Sequence, residues 1–224
     1  MKRTKVLQLT STLALAAAIA TVAGCKSGNY EAGASTAAGL TESADKAAAG
    51  KAKIDTALTS LNDLINNPQG DLVPRFKQFN TAVSDLESTA KNVSGNVTSM
   101  RSKGKEYFAK WDEQLATIKN EDIKSRSTER KNEVQTKFTN IKKTYEETSM
   151  AFKPFMAELK DVQSALSTDL TPGGVSALKG PADKLNKDAV PLKASIDKLA
   201  AEFKDLGVAM SSGMPQPATT PAPK

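Results

Sequence analysis

The sequence predicts an all-α protein: an elongated up-down bundle of four long, kinked helices with coiled-coil packing, the second and third protruding as a two-helix hairpin. Three observations carry this expectation. Apolar residues recur every three or four positions through most of residues 36–210, the spacing that gives a helix one buried stripe. No segment alternates apolar and polar residues in the two-residue period of a half-buried strand. Aromatics make up 5% of the 224 residues and charged residues 25%, a balance that suits long helices better than a sandwich or barrel.

Ahead of the helices, residues 1–24 read as an export signal. Lys2, Arg3 and Lys5 precede an apolar run, Leu13 to Ala20. That run is too short to span a bilayer, which needs roughly 20 apolar residues, and it suits the apolar region of a signal peptide. Val22-Ala23-Gly24-Cys25 then resembles the lipobox of bacterial lipoproteins, in which the cysteine is acylated and becomes the first residue of the mature chain. The plainer alternative is an ordinary signal peptide beside which Cys25 is incidental. Cys25 is the one cysteine in the sequence, so the expectation is lipidation there, with residues 25–35 as lipidated cysteine and flexible tether. Lys26 stands where an Asp favours inner-membrane retention in the Gram-negative lipoproteins this one resembles. The expected place is therefore the periplasmic face of the outer membrane, if the source is Gram-negative.

Four helices are expected at about 36–66, 71–119, 122–168 and 174–210. In the first, Leu40, Ala44, Ala47, Ile54, Leu58, Leu61 and Ile65 keep register but skip a beat at Lys51. The second runs from Leu72 through Phe79, Leu86, Ala90 and Val97 to Met100, and an aromatic group, Tyr107, Phe108 and Trp111, extends it and reads as core. In the third, ten positions from Val134 to Leu166 hold register with one polar interruption, Thr148. The fourth keeps it from Val175 to Met210. Asn66-Asn67-Pro68-Gln69-Gly70 and Thr171-Pro172-Gly173-Gly174 are turns, and Asn120-Glu121-Asp122 is a softer boundary. Pro154, Pro181 and Pro191 fall inside the register and are expected to kink their helices. Residues 211–224, with four prolines, read as a disordered tail.

At 1.5 Å per residue the second and third helices are about 70 Å long, longer than their neighbours. Their shared end therefore extends past the first and fourth helices, on the side where the tether emerges. Charge concentrates there: residues 101–143 hold twelve basic and seven acidic side chains, a net of +5. The candidate membrane or polyanion contacts are Arg101, Lys103, Lys105, Lys119, Lys124, Arg126, Arg130 and Lys131. The competing reading is a solvated helix face with intrahelical ion pairs.

The run Arg101 to Ile118, with Tyr107, Phe108 and Trp111, then Ile123 to Arg130, resembles the bacterial family known as domain of unknown function 2959. Phe152-Lys153-Pro154-Phe155 with Leu159 and Asp161 resembles it too. The likeness spans most of residues 40–210. It implies an exported helical protein and supplies no catalytic residues. The chain departs from that pattern at Pro172-Gly173-Gly174 and Pro181.

With no histidine in the sequence, a His triad and His-ligated metal sites are excluded. No catalytic residue, metal site or cofactor is assigned. The leading expectation is a non-enzymatic, lipid-anchored envelope protein that acts by contact as spacer, adaptor or binding module. It would meet anionic lipid, cell-wall polymer or another envelope protein; nucleic acid is not expected. One alternative is an envelope hydrolase or small-ligand-binding lipoprotein, with Asp112, Glu113 and Glu133 as the carboxylates to examine. Heptad-packed bundles leave few places for the pocket it needs. Another is a self-assembling coiled coil built through exposed apolar residues of the hairpin.

Overall fold

The computed structural model describes residues 29–211, so the candidate signal peptide, Cys25 and the Pro-rich residues 212–224 lie outside the described residues. Within them the chain forms five helices: α1 (Asn29–Asn66), α2 (Val73–Thr117), α3 (Glu121–Thr168), α4 (Pro172–Ala177) and α5 (Lys179–Ser211). The expected all-helical bundle is found. α1 packs between α2 and α5, and α3 closes the ring by packing on α5 and α2. α1 and α3 therefore lie across one diagonal, α2 and α5 across the other.

The turns are built from the residues that suggested them. Gly70 takes a φ of 81°, the left-handed region that glycine enters without a Cβ clash. Arg75 ties this turn down, donating to the carbonyl of Asn67 at 2.8 Å and pairing with Asp63 at 3.2 Å. At the opposite end Asn120 caps α3 by accepting from the Ile123 N–H at 3.1 Å. Glu121 and Asp122 in the first turn of α3 complement its dipole.

Two expectations are corrected. Residues 29–35, expected in the tether, belong to α1. There Gly33 meets Tyr107 of α2 so closely that a Cβ would lie 3.3 Å from the ring, and the Ala-rich stretch that follows has high helix propensity. The fourth helix is also two helices. Thr171 caps α4 by accepting from the Gly174 N–H at 3.2 Å, and α4 ends at Ala177 with Leu178 as its C-cap, whose N–H bonds Val175 O at 3.1 Å. Pro181 thus falls in the first turn of α5, where its missing N–H has no intrahelical role. Pro154 and Pro191 do lie inside α3 and α5, which run through them.

The buried residues form two clusters. The larger occupies the end with the α1–α2 and α3–α4 turns and includes Leu61, Phe79, Leu159 and Leu185. The smaller lies toward the α2–α3 connection and includes Leu40, Met100, Ile141 and Phe203. Tyr107, Phe108 and Trp111 pack against this second cluster, in edge-to-face contacts at 5.4 to 5.6 Å. Lys51, where the α1 stripe skips a beat, reaches across to Asp197 of α5 at 2.6 Å.

Candidate functional site

Two regions carry features beyond packing: the hairpin end of α2 and α3, and a cavity midway along the bundle. At the hairpin end half of the eight candidate basic residues are engaged. Arg101 pairs with Glu146 at 3.0 Å and covers the Tyr145 ring at 5.6 Å. Arg126 pairs with Asp122 at 3.2 Å. Arg130 pairs with Glu133 at 3.0 Å and donates to the Ala209 carbonyl of α5 at 2.7 Å. Lys131 bonds Asp112 across the hairpin.

The other four have no salt bridge among the described residues. Lys103 lies beside Glu42 of α1; that carboxyl is held below the ordinary range first by its hydrogen bond to Lys46 and, more weakly, by Lys103. Lys105, Lys119 and Lys124 remain without an acidic partner. The carboxylates Asp112, Glu113 and Glu133 do not converge. The first and last are spent on Lys131 and Arg130, and all three are exposed. Among the described residues no group of His, Cys, Asp or Glu could hold a metal ion, and no helix is long and apolar enough to cross a membrane.

The second region is one that sequence reasoning missed. A cavity of about 500 Å³ opens between α2 and α3, the adjacent pair that touch least among the four long helices. Its floor is Ile54 of α1 with Ile196 and Leu199 of α5; its sides are Leu86 and Val93 of α2 and Phe152 and Met156 of α3. Small side chains hollow it out. Ala47, Ala90 and Thr148 occupy stripe positions on α1, α2 and α3 and all line it. Thr148 adds no free polarity, because its hydroxyl donates to the Thr144 carbonyl at 2.7 Å.

Among the described residues the polar bridges between α2 and α3 lie at or beyond the two ends of this opening. Above it stands the Arg101–Glu146 pair; below it Lys160 pairs with Glu87 at 2.8 Å and Gln163 donates to Asn80 at 2.9 Å. The mouth is cationic. Lys91, Lys153 and Lys160 face a single carboxylate, Glu87, which accepts from Lys160 and from Lys91 at 3.2 Å. Those two lysines, Lys160 first, hold the Glu87 carboxyl below its ordinary range. Lys153 has no salt bridge among the described residues.

An empty apolar void is expensive. At roughly 24 cal/mol per Å³ a sealed cavity of this volume would cost on the order of 12 kcal/mol, as much as the whole stability of an ordinary domain. The opening between α2 and α3 escapes that cost only because something other than protein can enter. The arrangement offers a ligand apolar walls and lysine ammonium groups at one side.

The family model described as a protein of unknown function, DUF2959, matches residues 37–206. That is more than half of the chain, and the chain belongs to this family. No curated protein and no solved structure matches it.

Proposed function

We propose that this member of the DUF2959 family is a lipid-anchored cell-envelope protein that acts by contact, not by catalysis, through the end of its α2–α3 hairpin. Cys25 is the anchor, and the periplasmic face of the outer membrane is its place in a Gram-negative cell. The hairpin runs about 15 Å beyond the Arg130–Ala209 contact, ten residues at 1.5 Å each. The observation that carries the reading is the set of hairpin lysines without acidic partners, Lys119 and Lys124 beyond that contact and Lys105 further back along α2, beside basic residues that are neutralised. Each cation near an anionic headgroup layer contributes about 1 kcal/mol. Three of them make a weak, salt-sensitive contact that supplements the lipid anchor.

Co-sedimentation with vesicles tests this, using the full chain with Cys25→Ser so that acylation does not mask the contact. Binding to vesicles containing phosphatidylglycerol, lost in high salt and absent with pure phosphatidylcholine, is expected. The triple variant K105E/K119E/K124E should lower it at least tenfold, whereas R126E should change it less. Binding that ignores salt, or that survives the triple reversal, would sink the proposal.

A further inference from the structure

We propose that the cavity between α2 and α3 binds one single-chain amphiphile with an anionic head, of the fatty-acid class. This goes beyond contact through the hairpin and stands whether or not that contact occurs. The volume, about 500 Å³, lies in the range of small-molecule sites. Its shape is more selective. The α3 wall runs from Tyr145 to Lys160, about 22 Å along the helix axis, while the width is set by four packed helices. An apolar space of about 500 Å³ that runs along the helix suits one extended acyl chain better than the two chains of a phospholipid.

The walls argue against a sugar or nucleotide. Among the described residues the buried side-chain atoms without a hydrogen-bond partner are Arg101 Nε and Glu202 Oε2, and neither residue lines the cavity. The lining is mainly apolar, with the hydroxyls of Ser94 and Ser149 among its polar groups besides the charged mouth, so recognition inside the slot is chiefly by apolar contact. Specificity comes from the mouth, where Lys160 and Lys91 share Glu87 and Lys153 is left to meet an added carboxylate. A cationic or neutral head would gain nothing there. The acyl chains expected on Cys25 share the apolar chemistry but bring no anionic head, so they are a separable source.

The test uses the full chain with Cys25→Ser and the fluorescent fatty acid cis-parinaric acid as probe, displaced by laurate, dodecanol or dodecyltrimethylammonium. Saturable binding of one probe per chain is expected, with laurate displacing it at least tenfold better than the cationic analogue. K153E, which touches no salt bridge among the described residues, should erase most of that preference without lowering the melting temperature. A90F fills the slot from α2 and G50L from α1; whichever of the two melts cooperatively should lose at least tenfold in affinity. Absence of saturable binding, equal displacement by the cationic and anionic analogues, or unchanged affinity in the filled variant would overturn the proposal. So would a chain purified with its lipid that refuses the probe while Cys25→Ser accepts it, since the occupant would then be the protein's own acyl chain.

Discussion

Gly104 shows how tightly single residues set the hairpin. It is buried in α2, and a Cβ built there would lie 2.3 Å from the Phe138 ring of α3. Phe138 in turn stacks edge-on against Phe108 at 5.7 Å, so the ring has little freedom to retreat. Gly104→Ala should destabilise the chain by about 1–3 kcal/mol through overpacking, a fall of several degrees in melting temperature for a chain of this size. Gly95 is the matched control. It lies in the same helix with nothing within 4 Å of a built Cβ, so Gly95→Ala should stabilise by about 0.5–1 kcal/mol, the helix-propensity difference. Thermal melts followed by circular dichroism distinguish the two; a loss at Gly95 or a gain at Gly104 would contradict this packing.

At the scale of the helices, most of the fold was legible because a buried stripe is a property of one helix at a time. Val134, Ile141, Phe155, Leu159, Val162 and Leu166 were read from spacing alone and are all buried. The cavity was not legible in this way, because it depends on the register between helices. Ala47, Ala90 and Thr148 lie nineteen, seventeen and twenty residues from the turn-end termini of α1, α2 and α3, and so at one level of the bundle. In the sequence Ala47 and Ala90 simply keep their stripes and Thr148 reads as one polar interruption; together they empty a layer. The α4–α5 break escaped because Pro181 was counted as interior. Its true position gives a prediction. Pro191 lies well inside α5, where proline costs up to about 3 kcal/mol relative to alanine, and its side chain is exposed. Pro191→Ala should raise the melting temperature, whereas Pro181→Ala in the first turn should move it little. The reverse order in calorimetry would mean that α5 starts elsewhere.

Across the whole molecule the cavity is a seam. It is walled by Ile54, Leu86 and Met156 from the turn-end cluster and by Leu199, Val93 and Tyr145 from the hairpin-end cluster. Between the clusters, apolar continuity is thinnest where the slot opens. The two halves are also unequal: twenty-three buried residues form one cluster and nine the other. Local opening follows the amount of apolar burial that resists it, so the hairpin half should open without the turn half. Hydrogen exchange read by mass spectrometry should then show weaker protection across 97–141 and 199–211 than across 54–86 and 155–192. An occupant of the slot touches both clusters at once and stabilises only the closed bundle. Added laurate should therefore raise protection in the hairpin half more than in the turn half, tying the ligand to the stiffness of the element we propose makes the contact. Uniform protection along the bundle would mean one cooperative core and no seam, and a laurate effect confined to the turn half would place the ligand somewhere other than between α2 and α3.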